Sequence, residues 1–169
     1  MVAVLAEQFF SVTDDFSVLW GLSAQAGPAT YFADQGRAEL WATDLLLRYK
    51  PAASGGSRWF VELQTEAIAR TRHAPTKDLL LDDGGYAQLL WYPRWEYALG
   101  ARYDLAEPRL DDDIGLGPTN QRGALLFQWA PTHFSRLRAA AEVGSRGQHD
   151  VVWGVMATLE VSVGAHGAH

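Results

Sequence analysis

Residues Tyr86 to Leu105 read YAQLLWYPRWEYALGARYDL, which divides most simply into two strands joined at Pro93-Arg94. After the turn, Trp95, Tyr97, Leu99, Ala101 and Tyr103 alternate with Glu96, Ala98, Gly100, Arg102 and Asp104. Side chains alternate sides along a strand, so one face here is aromatic or aliphatic and the other is charged or small. Before the turn, Ala87, Leu89 and Trp91 alternate with Tyr86, Gln88, Leu90 and Tyr92. Bulky aromatics crowd the turn itself: Trp91, Tyr92, Trp95 and Tyr97.

The same two-residue period recurs along the chain. Val2 to Val12 is a first extended segment of ambiguous phase, closed by Thr13-Asp14-Asp15. Strands follow at Phe16 to Ala26, Ala38 to Lys50 and Arg58 to Arg72. In the last of these, Trp59, Val61, Leu63, Thr65 and Ala67 oppose Glu62, Gln64, Glu66 and Arg70. A helix would place Glu62, Glu66 and Arg70 together, but Gln64 and Trp59/Val61/Leu63 fit only period two. Further strands are expected at Arg122 to Trp129, Phe134 to Ser145 and Val151 to Val163. Gly27 to Arg37, His73 to Gly85 and Ala106 to Gln121 read as longer loops. Connections after odd strands read as short, with PAASGGS and Pro131-Thr132-His133 among them.

Composition fits this pattern. The chain of 169 residues holds no cysteine, 16 glycines, 7 tryptophans and 6 tyrosines, with net charge -6. No disulfide or thiolate metal site can form. The charge and the lack of a basic cluster argue against nucleic acid. No run of about 18 apolar residues forms a transmembrane helix, but alternation lets a β-barrel cross a membrane without one. Alternating strands, short and long connections in turn, and aromatics gathered at two levels predict an all-β, antiparallel up-and-down transmembrane β-barrel. Residues 1–169 form one domain: an extra N-terminal strand at 1–12, eight barrel strands over 16–163 and a C-terminal tail at 164–169. The extra strand either packs elsewhere or ends a missing N-terminal half. Residues 1–10 lack a basic n-region and a cleavage site and do not read as a signal peptide.

The interface aromatics are then Trp59, Trp91, Tyr92, Trp95, Trp129 and Trp153, where amphipathic rings suit the headgroup level. The lumen-lining charges are Asp44, Arg48, Glu62, Glu66, Arg70, Glu96, Arg102, Asp104, Arg136, Arg138, Glu142 and Glu160. In a wide barrel they tune ion selectivity. In an eight-stranded barrel they fill the interior as a network, since unpaired buried charge is costly. The partners expected are a lipid bilayer of the lipopolysaccharide-bearing outer membrane, and ions or small solutes. No cofactor is implied. For a metal, His166 and His169 are weak candidates, because zinc needs three or four ligands. Asp82-Asp83 and Asp111-Asp112-Asp113 read as solvated loop charges rather than calcium ligands. Ser135 beside His133 lacks an oriented third group, so no enzyme is expected.

The runs FFSVTDDFSVLWGLSAQAGP, ATDLLLRYKP, ELQTEAIARTR, DDGGYAQLLW, GARYD, PTHFSRLR and VGAHGAH, in that order, resemble the C-terminal half of a family of proteobacterial outer-membrane β-barrels. Its members are labelled porin-like, or zinc-regulated TonB-dependent outer-membrane receptors. The resemblance implies outer-membrane localisation, a passive porin-like channel and a chain that is one portion of a larger barrel. Two other readings stand beside it. One is a soluble β-barrel with its aliphatic face inward around an apolar small molecule. The other is an excised or designed barrel scaffold without transport activity.

Overall fold

The computed structural model describes residues 1–31, 34–51, 59–74, 77–107, 119–132, 134–146 and 150–162. These residues form nine antiparallel strands in one sheet, each paired with the next in sequence. They are β1 (Val2–Ser11), β2 (Phe16–Tyr31), β3 (Asp34–Tyr49), β4 (Phe60–Ala74), β5 (Lys77–Arg94), β6 (Tyr97–Glu107), β7 (Asn120–Thr132), β8 (Ser135–Arg146) and β9 (Asp150–Val161). The fold is therefore all-β and up-and-down, as the alternation predicts. Among the described residues β1 and β9 do not pair, and the sheet has two open edges.

The first segment is a full member of the sheet. β1 pairs with β2 from Val2↔Ala26 to Ser11↔Ser17. Its turn is built as the sequence suggests. The Thr13 hydroxyl oxygen accepts from the Asp15 and Phe16 amides at 3.3 and 3.1 Å, a local bond that Thr offers a turn.

Three boundaries differ from expectation. The described residues of Gly27 to Arg37, 27–31 and 34–37, are strand rather than loop, because β2 and β3 stay paired out to Tyr31↔Asp34. Within His73 to Gly85 the described residues 73–74 and 77–85 are likewise strand, with β4 reaching Ala74 and β5 starting at Lys77. Glycine, proline and aspartate marked those stretches as loops, but cross-strand pairing outweighs weak local propensity. The intervals after β2 and β4 are correspondingly shorter than the loops expected there, while the one between Glu107 and Asn120 stays long. In the opening hairpin the turn lies at Trp95-Glu96, not Pro93-Arg94. The register shifts between Trp91 and Arg94, and this irregularity carries β5 through the proline, which a regular ladder would not hold.

Register assigns each residue a face, since directly paired residues share one. One row runs Val18, Leu47, Leu63, Leu89, Ala101, Leu125, Ala141, Val155. Its neighbour on the same face runs Trp20, Leu45, Thr65, Ala87, Tyr103, Gly123, Val143, Trp153. The opposite face carries the charges. Little is buried on either. Among the described residues the only buried hydrophobics are Ala98, Ala130 and Ala140, and no polar or charged residue is buried. Leu125 at 70% and Trp153 at 79% relative exposure typify the apolar face.

Candidate functional site: a charged trough along the sheet

The charged face is concave, because residues from β3 to β9 line common cavities on it. Three cavities follow one another along the strands. The first, about 310 Å³, lies at the Trp95-Glu96 end between Arg48, Glu62, Tyr92, Gln128, Arg136 and Glu160. The next, about 420 Å³, shares Glu62, Tyr92, Gln128 and Arg136 and adds Gln64, Gln88, Arg102 and Arg138. The third, about 820 Å³, is bounded by Arg70, Asp82, Tyr86, Asp104, Asn120 and Arg122. Together they form a trough whose floor is the sheet.

Ion pairs cross the trough from strand to strand. The register opposes Arg48 to Glu62, and the arginine Nε donates to Glu62 Oε1 at 2.7 Å. Arg70 opposes Asp82 and donates through Nε and Nη2 at 2.9 and 2.6 Å, while Arg72 Nη2 reaches Asp82 Oδ1 at 3.1 Å. Within β6, Arg102 donates twice to Asp104 Oδ1, at 2.9 and 2.7 Å. Arg122 then bridges Asp104 at 3.4 Å and Glu142 at 3.3 Å. Opposite charges placed directly across a ladder stabilise the pairing, and arginine's planar fork suits carboxylates. The exposure of these side chains keeps each pair modest, at about 1 kcal/mol or less.

Aromatic rings extend the network. The Arg102 guanidinium lies 3.7 Å from the Tyr86 ring centroid, close enough for cation–π attraction. Tyr86 hydrogen-bonds Glu66 in turn. Tyr92 stacks on Phe60 at 4.1 Å between centroids and hydrogen-bonds Glu62. At mid-height Asp44 faces Glu66 directly across β3 and β4. Gly21 lies beside Asp44, and an added Cβ there would come within 2.9 Å of the Asp44 Cγ. The absent side chain leaves room for that carboxylate.

The expected lining residues Asp44, Arg48, Glu62, Glu66, Arg70, Arg102, Asp104, Arg136, Arg138, Glu142 and Glu160 all share this face by register. Glu96 does not; it occupies the turn, where its backbone oxygen accepts from the Ala130 amide at 2.7 Å. Among the expected interface aromatics, Trp91 and Trp129 stand on the apolar face at 48% and 40% exposure. Trp153 joins them, and Trp59 packs near Tyr49 at 5.9 Å. Tyr92 is placed on the charged face instead, because β5 alternates through Tyr86, Gln88, Leu90 and Tyr92. Trp95 sits in the turn and lines the first cavity.

Sequence reasoning missed Arg72, Asp82, Tyr86 and Arg122 in the trough. Arg122 shares the parity of Ala124 and Gln128, so the signal was present. Asp82 was hidden by reading its segment as a loop. In the strand Asp82 and Asp83 point to opposite faces, so they do not converge on a calcium ion. Ser135 Oγ bonds Thr132 Oγ1 at 2.8 Å. His133, His166, His169 and Asp111-Asp112-Asp113 lie outside the described residues, among which no cluster of three metal-ligating side chains occurs. No family model matches the chain, and neither the curated proteins nor the solved structures contain a match to it.

Proposed function

We propose that the chain is a membrane-embedded β-barrel component, porin-like, that passes small solutes passively along its charged face. The observation that carries this reading is a sheet with one uncovered apolar face and one charged concave face. Leaving a Val, Leu or Phe side chain in water rather than burying it forfeits about 1.5–3 kcal/mol. The exposed set includes Leu22, Trp41, Leu89, Leu99, Leu125, Val155 and Leu159, so water is a poor neighbour for this face and lipid a good one.

Dimensions support the same reading. The outward apolar stretch runs from Trp41 to Tyr49 on β3, Val61 to Ala69 on β4 and Tyr97 to Leu105 on β6. Each is about 26 Å along the strand and about 20 Å high at a tilt of ~40°, close to the roughly 25 Å band of a membrane barrel. Beyond that band the same face turns polar at the paired Glu39 and Thr71, and Asp83 sits opposite Ala69 at the edge of the band. A soluble barrel would need the apolar face on the inside, whereas the trough gathers charges on the concave side. The outer membrane is the compartment that such a barrel implies. With both edges open, closure calls for further strands, from a larger chain or from an oligomer.

The test is planar-bilayer conductance of protein refolded in detergent. The channel reading expects salt-dependent single-channel steps from a β-rich, heat-modifiable form. Folded protein that stays silent refutes passage through this chain alone and leaves a closed or partial barrel. Protein that remains soluble and folded without detergent refutes the membrane reading.

A further inference from the structure

Among the described side chains seven arginines line the trough, and two of them are engaged differently from the rest. Arg48, Arg70, Arg72, Arg102 and Arg122 each hydrogen-bond a carboxylate. Among the described residues the side chains of Arg136 and Arg138 make no hydrogen bond. Both lean on the same carboxylate, Glu160, at 3.9 and 3.6 Å. One carboxylate thus serves two guanidiniums at more than hydrogen-bond distance, and a guanidinium offers five donors.

The two arginines are alternate residues of β8, so their Cα atoms are about 7 Å apart on one face. Arg136 borders both the 310 Å³ and the 420 Å³ cavities, and Arg138 borders the second. The 310 Å³ cavity is of the size that holds a small ligand. The stacked Phe60 and Tyr92 rings and Trp95 line this cavity together with Arg136, among polar neighbours that include Arg48, Glu62 and Gln128. Two guanidiniums that share one carboxylate at more than hydrogen-bond distance therefore border the same ligand-sized space as a set of aromatic rings.

We propose that Arg136 and Arg138 hold the carboxylate of a small organic acid whose apolar body rests against Phe60, Tyr92 and Trp95. The fork geometry of arginine matches a carboxylate bidentately, and such charge-assisted bonds are the stronger ones. Glu160 acts as the internal competitor that the incoming carboxylate displaces. This rests on the proposed solute-facing trough but not on conduction, so it is measured by binding.

The probe is benzoate, with benzyl alcohol as its neutral counterpart, titrated against the full chain folded in detergent. Tryptophan fluorescence reports on Trp95 at the cavity. Saturable quenching by benzoate and none by benzyl alcohol is expected. Arg136→Gln with Arg138→Gln should weaken binding about tenfold or more, from the worth of charge-assisted bonds. Glu160→Gln, which removes the competitor and leaves both arginines, should tighten it several-fold. An equal response to benzyl alcohol, or affinity unchanged in Glu160→Gln, overturns the proposal, as does folded protein that shows no saturable signal. A silent bilayer recording alongside saturable benzoate binding would refute the channel and keep the site.

Discussion

Leu45 and Leu46 are adjacent, identical and on opposite faces of β3, which makes them the sharpest test of the face assignment. Leu45 pairs with Trp20 and Thr65 on the apolar face, at the middle of the stretch from Trp41 to Tyr49. Leu46 pairs with Leu19 and Gln64 on the charged face. Leu45→Arg places a guanidinium near the bilayer midplane, at a cost of about 2–4 kcal/mol. Leu46→Arg places the same group in the trough, two residues from Asp44 and diagonal to Glu66, where it should cost about 1 kcal/mol or less. Strand propensity and side-chain entropy are the same in both variants, so their difference isolates the environment. The assay is reversible urea unfolding in lipid vesicles, followed by tryptophan fluorescence, with a gap of roughly 2 kcal/mol expected between the two variants. Equal costs, or a larger cost for Leu46→Arg, would refute lipid against the apolar face. The soluble-barrel alternative, with its apolar face inward, requires that Leu46→Arg be the harmless one in water without any membrane.

Other outcomes follow from the same geometry. Arg102→Gln removes two bonds to Asp104 and the contact over Tyr86 and should destabilise by about 1–2 kcal/mol, whereas Arg138→Gln, which makes no hydrogen bond, should change unfolding by less than about 0.5 kcal/mol. Comparable effects of the two in urea titrations would show that the hydrogen-bonded ladder contributes little. Gly100→Ala brings a Cβ within 2.5 Å of Leu90 Cδ2 and onto the Leu89 carbonyl, so a loss of about 1–3 kcal/mol is expected, and an unchanged midpoint would contradict the close approach of β5 and β6. A fluorophore attached at position 63 should be quenched by bromine-labelled lipid tails while one at position 64 is not; quenching at both sites would remove the two-faced assignment.

Most of the strand pattern was legible in the chain because two-residue alternation survives without any tertiary information. Tyr97, Leu99, Ala101 and Tyr103 had to share a face once they lay in a strand, and so did Arg48, Glu62 and Glu66 within theirs. Eleven of the twelve expected lining charges fall on the charged face for that reason. Glu96 escaped because the turn centre moved by two residues, which a bulge permits and local sequence does not announce. Tyr92 was placed by its residue type, which suits an interface, when its parity already put it with Gln88 and Leu90.

Register and curvature were decided only by the tertiary structure. Alternation says which residues share a face within one strand, but not which residue opposes which across strands. Pairing aligned Arg70 with Asp82, and it drew 27–31 and 77–85 into strands despite their glycines and prolines. Curvature brought Arg48, Tyr92 and Arg136, from β3, β5 and β8, around one cavity. Local period fixes the two faces because it is a property of each backbone segment. The trough, its ion-pair ladder and the loosely held Arg136 and Arg138 arise from contacts far apart in sequence, which only the folded sheet brings together.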